Sequence, residues 1–223
     1  MITWLSADDP PDRFPPLEAA LSDPPGLLAA GGDLKPERLL AAYARGIFPW
    51  YSPGQPVLWW SPDPREVLMP QRFRRSRSLA RCMRTRGFTL HQDRDFSQVI
   101  AACAAPRLAS PGTWITAEMQ AAYLRLHQRG FAHSYEIWRC GELVGGLYGV
   151  QLGRVFFGES MFARESDASK AALAGLVDHC AAQSIELIDC QLPSAHLRSL
   201  GSQPMPRREF LRFLPLPGET IAA

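Results

Sequence analysis

The stretch AHSYEIWRCGELVGGLYGVQLGRVFFGESMF, residues 132–162, decides the fold because it predicts three consecutive β-strands. β-Branched and aromatic residues recur along it, and turn residues interrupt it twice. A helix is predicted over 167–184 with Asp167 at its N-cap, followed by an apolar strand over 185–192. Strands that continue through a helix to a further strand predict a mixed sheet with a right-handed crossover.

Three further segments have helical spacing. They cover 35–46, 95–105 and 116–130, and in the last of these Thr116 is the expected N-cap and Gly130 the expected stop. Helices in addition to a mixed sheet predict an α+β or mixed α/β fold.

The first part of the chain differs in composition from the rest. Residues 47–65 hold five prolines and four tryptophans or tyrosines, which is too interrupted for long regular structure. We therefore expect a small irregular N-terminal domain over residues 1–63 and a larger domain over residues 64–223.

Composition narrows the classes of function. A net charge of +2 over 223 residues is too small to indicate a nucleic-acid binder without local clustering. No apolar run is long enough for a transmembrane helix, and the first residues lack the features of a signal peptide. Five scattered cysteines indicate reduced thiols in a cytoplasmic protein. The histidines lack paired spacing, and LVGGLYG (143–149) lacks a nucleotide-binding pattern, so we expect no metal and no cofactor.

Three polar residues interrupt apolar strands. Glu159 stands in FFGESMF, and Asp189 and Gln191 stand two residues apart in LIDCQL, where alternation gives them one face. A carboxylate in apolar surroundings is costly unless it is hydrogen-bonded or faces a cleft, so a site where the three converge is one interpretation. The alternative is that Asp189 and Gln191 only satisfy backbone groups at the strand end.

Arginines are concentrated in RFRRSRSLARCMRTR, residues 72–86, which holds seven of them. Arginine clusters bind phosphates, so this segment predicts an RNA contact, with a solvated basic helix as the alternative. The predicted contacts are Arg74, Arg75, Arg77, Arg81 and Arg84. Four tryptophans (Trp50, Trp59, Trp60 and Trp114) either belong to the core or stack on unpaired bases.

Several strings follow one another along the chain: GLLAAGGDL, AAYARGIFPW, VLWWSPDPR, GTWIT, AHSYEIW, LVGGLYGV, FFGESMF, ASKAAL, DCQL and HLRSLG. In this order, from about Phe14 to Phe213, the chain closely resembles the leucyl/phenylalanyl-tRNA–protein transferase family. Asp167 and Tyr135 depart from the family pattern, which has Asn and an aliphatic residue there. The segment 70–94 matches only loosely.

The resemblance implies a small N-terminal domain on an acyl-CoA N-acyltransferase-like domain. It implies transfer of Leu or Phe, and Met less well, from aminoacyl-tRNA to the α-amine of proteins that begin with Arg or Lys, which then enter N-end rule degradation. Residues matching Glu159, Asp189 and Gln191 form the catalytic neighbourhood. The family residues that border the terminal adenosine of the tRNA correspond to Trp50 and Trp114. The family residues that line the side-chain pocket correspond to Leu147, Phe156, Gly158, Met161, Leu173 and Ile188. Those near its entrance correspond to Tyr43 and Tyr123.

An aminoacyl ester is already activated, so placing the amine against its carbonyl can contribute about 7–11 kcal/mol. The amine, with an ordinary pKa of about 7.7–8.0, must also lose a proton. We expect Asp189 to polarise Gln191 and help to remove that proton while Glu159 positions an amine. Proton transfer through a tRNA ribose hydroxyl is the alternative.

Two other classes are compatible with parts of the sequence. An acyl-CoA N-acyltransferase normally carries a Q/R-x-x-G-x-G/A loop before its central helix, where this chain has ESDASK (165–170). A non-catalytic tRNA-binding module would explain the arginines but not Glu159, Asp189 and Gln191.

Overall fold

The computed structural model describes residues 2–105 and 113–215. The meander predicted over 132–162 is confirmed as three antiparallel strands, Ala132–Arg139, Glu142–Leu152 and Val155–Ala163. The helix and strand predicted after it are confirmed as Ala168–Ala182 and Leu187–Gln191.

The strands, in chain order, are β1 (Thr3–Leu5), β2 (Leu27–Gly31), β3 (Phe48–Pro49), β4 (Leu58–Trp60), β5 (Arg65–Leu68), β6 (Thr89–Gln92), β7 (Ala132–Arg139), β8 (Glu142–Leu152), β9 (Val155–Ala163), β10 (Leu187–Gln191) and β11 (Gln203–Met205). The α-helices are α1 (Pro36–Tyr43), α2 (Arg77–Thr85), α3 (Phe96–Ala104), α4 (Ala117–Gln128), α5 (Ala168–Ala182), α6 (Ala195–Ser199) and α7 (Arg207–Phe210). Short 3₁₀ turns cover Leu17–Ala19, Pro70–Arg72 and Leu211–Phe213.

Within the described residues these strands form two sheets. The smaller has the order β1-β2-β4-β3, and the larger has the order β11-β5-β10-β9-β8-β7-β6. In the larger sheet β9 and β10 pair in parallel, with α5 as the connection between them, and the other neighbouring strands pair antiparallel. The predicted mixed sheet is therefore confirmed.

Helix ends follow the predicted capping chemistry in one case and depart from it in another. Thr116 Oγ1 accepts a hydrogen bond from Met119 N, and Gly130 has φ of +79° just after α4, as predicted. Asp167 occupies the N-cap position of α5, but its φ of +67° turns its side chain away from the helix amides. Its carboxylate accepts from Lys170 Nζ at 2.8 Å instead, so the predicted N-cap position is confirmed although the side chain caps no helix amide.

The two faces of the larger sheet pack in different hydrophobic clusters. Phe157 belongs to the cluster that includes Tyr43 of α1 and Tyr123 of α4. Its neighbour Phe156 belongs to the cluster formed with α5, which contains Leu173. Alternation along β9 therefore gives the strand one face toward α1 and α4 and another toward α5.

The N-terminal region has short strands, as its prolines predicted: β3 has two residues and β4 has three. It packs directly on the larger sheet, and the rings of Tyr43 and Phe157 lie 4.9 Å apart. The smaller sheet ends at Trp60 and the larger one begins at Arg65. The division into domains over 1–63 and 64–223 stays a prediction.

Candidate active site

A cavity of about 480 Å³ lies where β9 and β10 stop pairing. The parallel register ends at Asp189 opposite Phe157, whereas β9 continues to Ala163. The cavity is lined by Leu147, Tyr148, Gly158, Glu159, Ser160, Met161, Leu173, Leu176, Ile188, Asp189, Cys190, Gln191, Ser194, His196 and Leu197.

Glu159 reaches its position through a β-bulge. In the pairing of β8 with β9, Tyr148 lies opposite Ser160 and Gly149 lies opposite Gly158, which leaves Glu159 as the extra residue. A bulge bends its strand and redirects a side chain. The bend brings the chain close to Gly149, where a Cβ atom would lie 2.2 Å from the carbonyl oxygen of Phe157, so only glycine fits.

Three donors surround the Glu159 carboxylate, which is 8 % exposed. Tyr43 Oη donates to Oε1 at 2.7 Å, Tyr123 Oη donates to Oε2 at 2.8 Å, and Gln191 Nε2 donates to Oε1 at 2.9 Å. Burial raises the pKa of Glu159 to about 7, and the nearby Asp189 charge adds to the rise while the three donors oppose it. Near neutral pH the carboxyl is therefore able to give or take a proton.

The tyrosine hydroxyls complete a ring of oxygens with this carboxylate. Tyr43 Oη and Tyr123 Oη lie 2.5 Å apart, so three short contacts join the two hydroxyls and the carboxyl group. Burial raises the pKa of both tyrosines well above the ordinary value, so each keeps its single proton. Two hydroxyl protons serve only two of the three contacts, and a proton taken up by Glu159 supplies the third.

Tyr43 and Tyr123 were expected near the entrance of the substrate pocket. The structure instead places both in the core with no exposed surface, because α1 and α4 direct their apolar faces toward the larger sheet. Their contact with the site is the hydrogen bonding to Glu159.

Asp189 and Gln191 also converge with Glu159, although alternation is not the reason. A register shift lies between Asp189 and Gln191 in the pairing with β5, and Gln191 has φ of +63°. Gln191 N donates to Asp189 Oδ1 at 2.9 Å, while its side chain turns to Glu159. The Asp189 carboxylate thus accepts one backbone N–H, the side chain of Gln191 contacts Glu159, and the catalytic roles of both residues stay predictions.

Arg65 is part of this arrangement and was not predicted. Its Nε and Nη2 donate to the two carboxylate oxygens of Asp189 at 2.8 and 2.7 Å, and both side chains are 0 % exposed. A single arginine in SPDPREV carries no sequence signal for this pairing, because its partner is 124 positions away. Ser194 and His196, which line the cavity after β10, were also missed.

Most of the predicted pocket residues do line the cavity: Leu147, Gly158, Met161, Leu173 and Ile188. Phe156 is fully buried in the same hydrophobic cluster as Leu147 and Leu173. One part of the wall is therefore aliphatic, and the rest is lined by polar residues: Tyr148, Glu159, Ser160, Asp189, Cys190, Gln191, Ser194 and His196.

The tryptophans divide between surface and core. Trp50 is 39 % exposed, and its ring lies 5.5 Å from that of Trp60. Trp114 is partly buried against the larger hydrophobic cluster. Trp59 is a core residue whose Nε1 donates to Gly31 O at 2.8 Å.

The arginine-rich segment forms α2, which begins at the capping residue Ser76. Leu79 and Cys82 are buried beneath the helix, whereas the predicted RNA contacts are exposed: Arg74, Arg75, Arg77, Arg81 and Arg84. Arg75 Nη2 donates to Asp178 at 2.7 Å. The others leave a strongly basic face on the surface.

Neither 2–105 nor 113–215 contains a group of three or more His, Cys, Asp or Glu side chains placed to hold a metal ion. In the same ranges, helices fall short of the length and apolar character that crossing a membrane requires.

A mixed sheet whose two parallel strands separate around a cavity, with a carboxyl group whose pKa is raised, indicates a substrate-binding site with a candidate acid–base group. Comparison with known proteins identifies the family to which the chain belongs. The family model described as leucyl/phenylalanyl-tRNA protein transferase matches residues 67–215, and that of its N-terminal domain matches residues 32–63. The chain belongs to the leucyl/phenylalanyl-tRNA–protein transferase family, whose members are aminoacyltransferases.

Similar curated proteins carry the name leucyl/phenylalanyl-tRNA–protein transferase. One from Pseudomonas paraeruginosa is 56% identical over 214 residues, covering 96% of this chain and 94% of that protein. One from Pseudomonas entomophila is 59% identical over 210 residues, covering 94% and 92%.

Solved structures with a similar course of the chain include L-PGS from Bacillus licheniformis, at a TM-score of 0.43 and 13% identity over 72% of this chain and 52% of that one. A GCN5-related N-acetyltransferase from Kribbella flavida has a TM-score of 0.41 and 13% identity, over 76% of this chain and 60% of that one.

Proposed function

We propose that this chain transfers leucine or phenylalanine, and methionine less well, from aminoacyl-tRNA to the α-amine of proteins that begin with Arg or Lys. The observation that carries the proposal is the hydrogen-bonded carboxyl of Glu159 in a cavity whose wall is partly aliphatic. Such a site accepts an apolar side chain and a proton from an amine. Family membership supports the donor and the acceptor class.

The donor side chain occupies the aliphatic part of the cavity, formed by Leu147, Met161, Leu173 and Ile188. Burial of an unbranched or aromatic apolar side chain there is favourable, whereas a charged side chain would lose its hydration. Trp50 and Trp114 offer ring surfaces for the terminal adenosine, in keeping with the family resemblance.

The chemical step forms one bond and breaks another. The acceptor amine nitrogen attacks the ester carbonyl carbon, the carbon–oxygen bond to the ribose breaks, and the ribose oxygen leaves as a hydroxyl after Glu159 passes to it the proton taken from the amine. Glu159 takes the proton that the amine loses, and its raised pKa of about 7 is close to that of the amine, which favours exchange near neutral pH.

Asp189 is better suited to positioning than to proton transfer. Its Oδ1 accepts from Arg65 and from Gln191 N, its Oδ2 accepts from Arg65, and its side chain has no exposed surface. This geometry favours Glu159 over Asp189 as the base. Proton transfer through the ribose hydroxyl remains the competing path, in which Glu159 would act by position alone.

The exposed arginines of α2, together with Arg74, are proposed to contact tRNA phosphates. The Arg or Lys preference at the acceptor terminus, and degradation of the product by the N-end rule, follow from the family resemblance. We place the reaction in the cytoplasm, because aminoacyl-tRNA is made and used there.

The test is a transfer assay with purified protein and two donors, Phe-charged tRNA and labelled acetyl-CoA. The acceptors are a peptide that begins with Arg, the same peptide with an acetylated N-terminus, and the same peptide beginning with Glu. We expect phenylalanyl transfer to the free Arg peptide alone. Acetyl transfer would indicate an acyl-CoA enzyme, and tRNA binding without either reaction would indicate a binding module.

A further inference from the structure

We infer that Arg65 is a positioning residue for this reaction, holding in register the two side chains that donate to the same oxygen of Glu159. The inference rests on the proposed function for its catalytic meaning. Arg65 is fully buried and lies outside the set of described residues that line the cavity. It therefore acts on the site through other residues.

The first connection runs through β10. The guanidinium of Arg65 binds both oxygens of Asp189, and Asp189 Oδ1 accepts the backbone N–H of Gln191. Gln191 has φ of +63°, a left-handed conformation that residues other than glycine rarely adopt. The bond to Asp189 stabilises this turn, and the turn directs Gln191 Nε2 to Glu159 Oε1 at 2.9 Å.

The second connection runs through the end of α1. Arg65 Nη1 donates to Gly46 O at 3.1 Å, and Gly46 N donates to Tyr43 O at 2.9 Å. Gly46 has φ of +69°, which permits the turn that ends the helix. Tyr43 Oη then donates to Glu159 Oε1 at 2.7 Å. The guanidinium of Arg65 is thus connected, through these two chains of hydrogen bonds, to both of the side chains that donate to Glu159 Oε1.

The guanidinium itself is held from above and below. Its central carbon lies 4.7 Å from the ring centroid of Phe48 and 4.8 Å from that of Phe210. Flat aromatic faces suit a planar guanidinium better than an ammonium. Lysine at position 65 would keep the charge but could not bind Asp189 with two nitrogens and Gly46 with a third.

The experiment compares Arg65→Lys with Arg38→Lys. Arg38 is a matched control because it is also buried and binds Asp33 together with backbone carbonyls in the N-terminal region. We expect both variants to melt at lower temperature. Well below melting, Arg65→Lys should lower kcat at least tenfold with the donor KM within threefold, whereas Arg38→Lys should keep both. Equal kcat in the two variants would overturn the inference.

Two further measurements keep the result decisive. If Arg65→Lys does not fold, Phe210→Leu replaces it, because this substitution loosens one of the two ring contacts of Arg65. A folded Phe210→Leu protein should show a smaller loss of kcat at unchanged KM. An unchanged kcat would overturn the inference. A crystal structure of whichever of the two variants folds tests the positioning role without an activity measurement. Loss of the Gln191–Glu159 bond supports the inference and its retention overturns it, even if the unmodified protein transfers nothing and the proposed function fails.

Discussion

Gln191 Nε2 donates a 2.9 Å hydrogen bond to Glu159 Oε1, so side chains of β9 and β10 meet just beyond the last paired residues of the two strands. Each of the two side chains owes its direction to a bulge or register shift in its own strand. The bond closes one end of the cavity with a carboxyl group whose protonation depends on its neighbours.

The Glu159 carboxyl should make stability depend on pH. Its pKa is raised from 4.5 to about 7 in the folded protein, so folding favours the protonated form and stability is lost as the pH rises through this range. Relative to Glu159→Gln, the unmodified protein should lose on the order of 3 kcal/mol between about pH 4.5 and pH 8. Urea unfolding of both proteins at several pH values measures this, and a difference that does not change with pH would contradict it.

Asp189→Asn should lower both stability and turnover. The variant leaves the buried guanidinium of Arg65 without its counter-charge, and breaking a buried pair costs about 3–5 kcal/mol. Gln191 should lose its fixed turn, so kcat should fall by roughly 10²-fold with little change in donor KM. Thermal melts and steady-state kinetics measure both effects. Asp33→Asn, which removes the partner of buried Arg38, is the control and should leave kcat unchanged.

The aliphatic part of the cavity should select donors by the shape of their side chains, and should do so imperfectly. Such walls discriminate one methylene by about 1–3 kcal/mol, so Phe and Leu should transfer well, Met less well, and Ile and Val poorly. Leu173→Ala should enlarge the cavity and shift the preference toward bulkier side chains. Val177→Ala, in the same helix, controls for lost packing. Competition between charged tRNAs measures the ratios, and equal transfer of Ile and Leu would rule out this pocket.

The exposed face of α2 should govern the salt dependence of tRNA binding. Replacing Arg77, Arg81 and Arg84 by Ala should weaken tRNA binding. Because each phosphate contact contributes roughly 0.7–0.9 to the slope of log K against log salt concentration, the steepness of that slope should fall by about 2. Turnover of a minimal aminoacyl-adenosine donor should change little. An equal loss with the minimal donor would show that these arginines act on the structure or the chemistry. The control with the same charge change replaces exposed arginines elsewhere: Arg129, Arg139 and Arg154.

The secondary structure was largely predictable because its signals are local. Strand-forming residues divided by turn residues predicted the strands of the 132–162 meander, and Thr116 and Gly130 predicted the ends of α4. Asp167 shows the limit of such signals. Its residue type suits an N-cap, but the left-handed turn before α5 and the nearby Lys170 give its carboxylate a different partner.

The site residues were predictable in part, and their arrangement was not. The carboxylates were conspicuous because each interrupts an apolar strand. The bulge at Glu159 depends on pairing with β8, and no local pattern encodes it. Likewise Tyr43 meets Glu159 across 116 positions and Arg65 meets Asp189 across 124. Contacts of this range arise only once the sheets have packed.

The central claim, that Glu159 accepts the proton during transfer of Leu or Phe, is tested most directly by the pH dependence of single-turnover transfer. In the unmodified protein two ionisations should limit the rate at low pH, Glu159 with a pKa near 7 and the acceptor amine at about 7.7–8.0. In Glu159→Gln the rate should fall by roughly 10²-fold or more, and the limb that remains should have the slope of the amine alone. The same two-ionisation profile and a near-normal rate in Glu159→Gln would contradict the claim and favour proton transfer through the ribose hydroxyl.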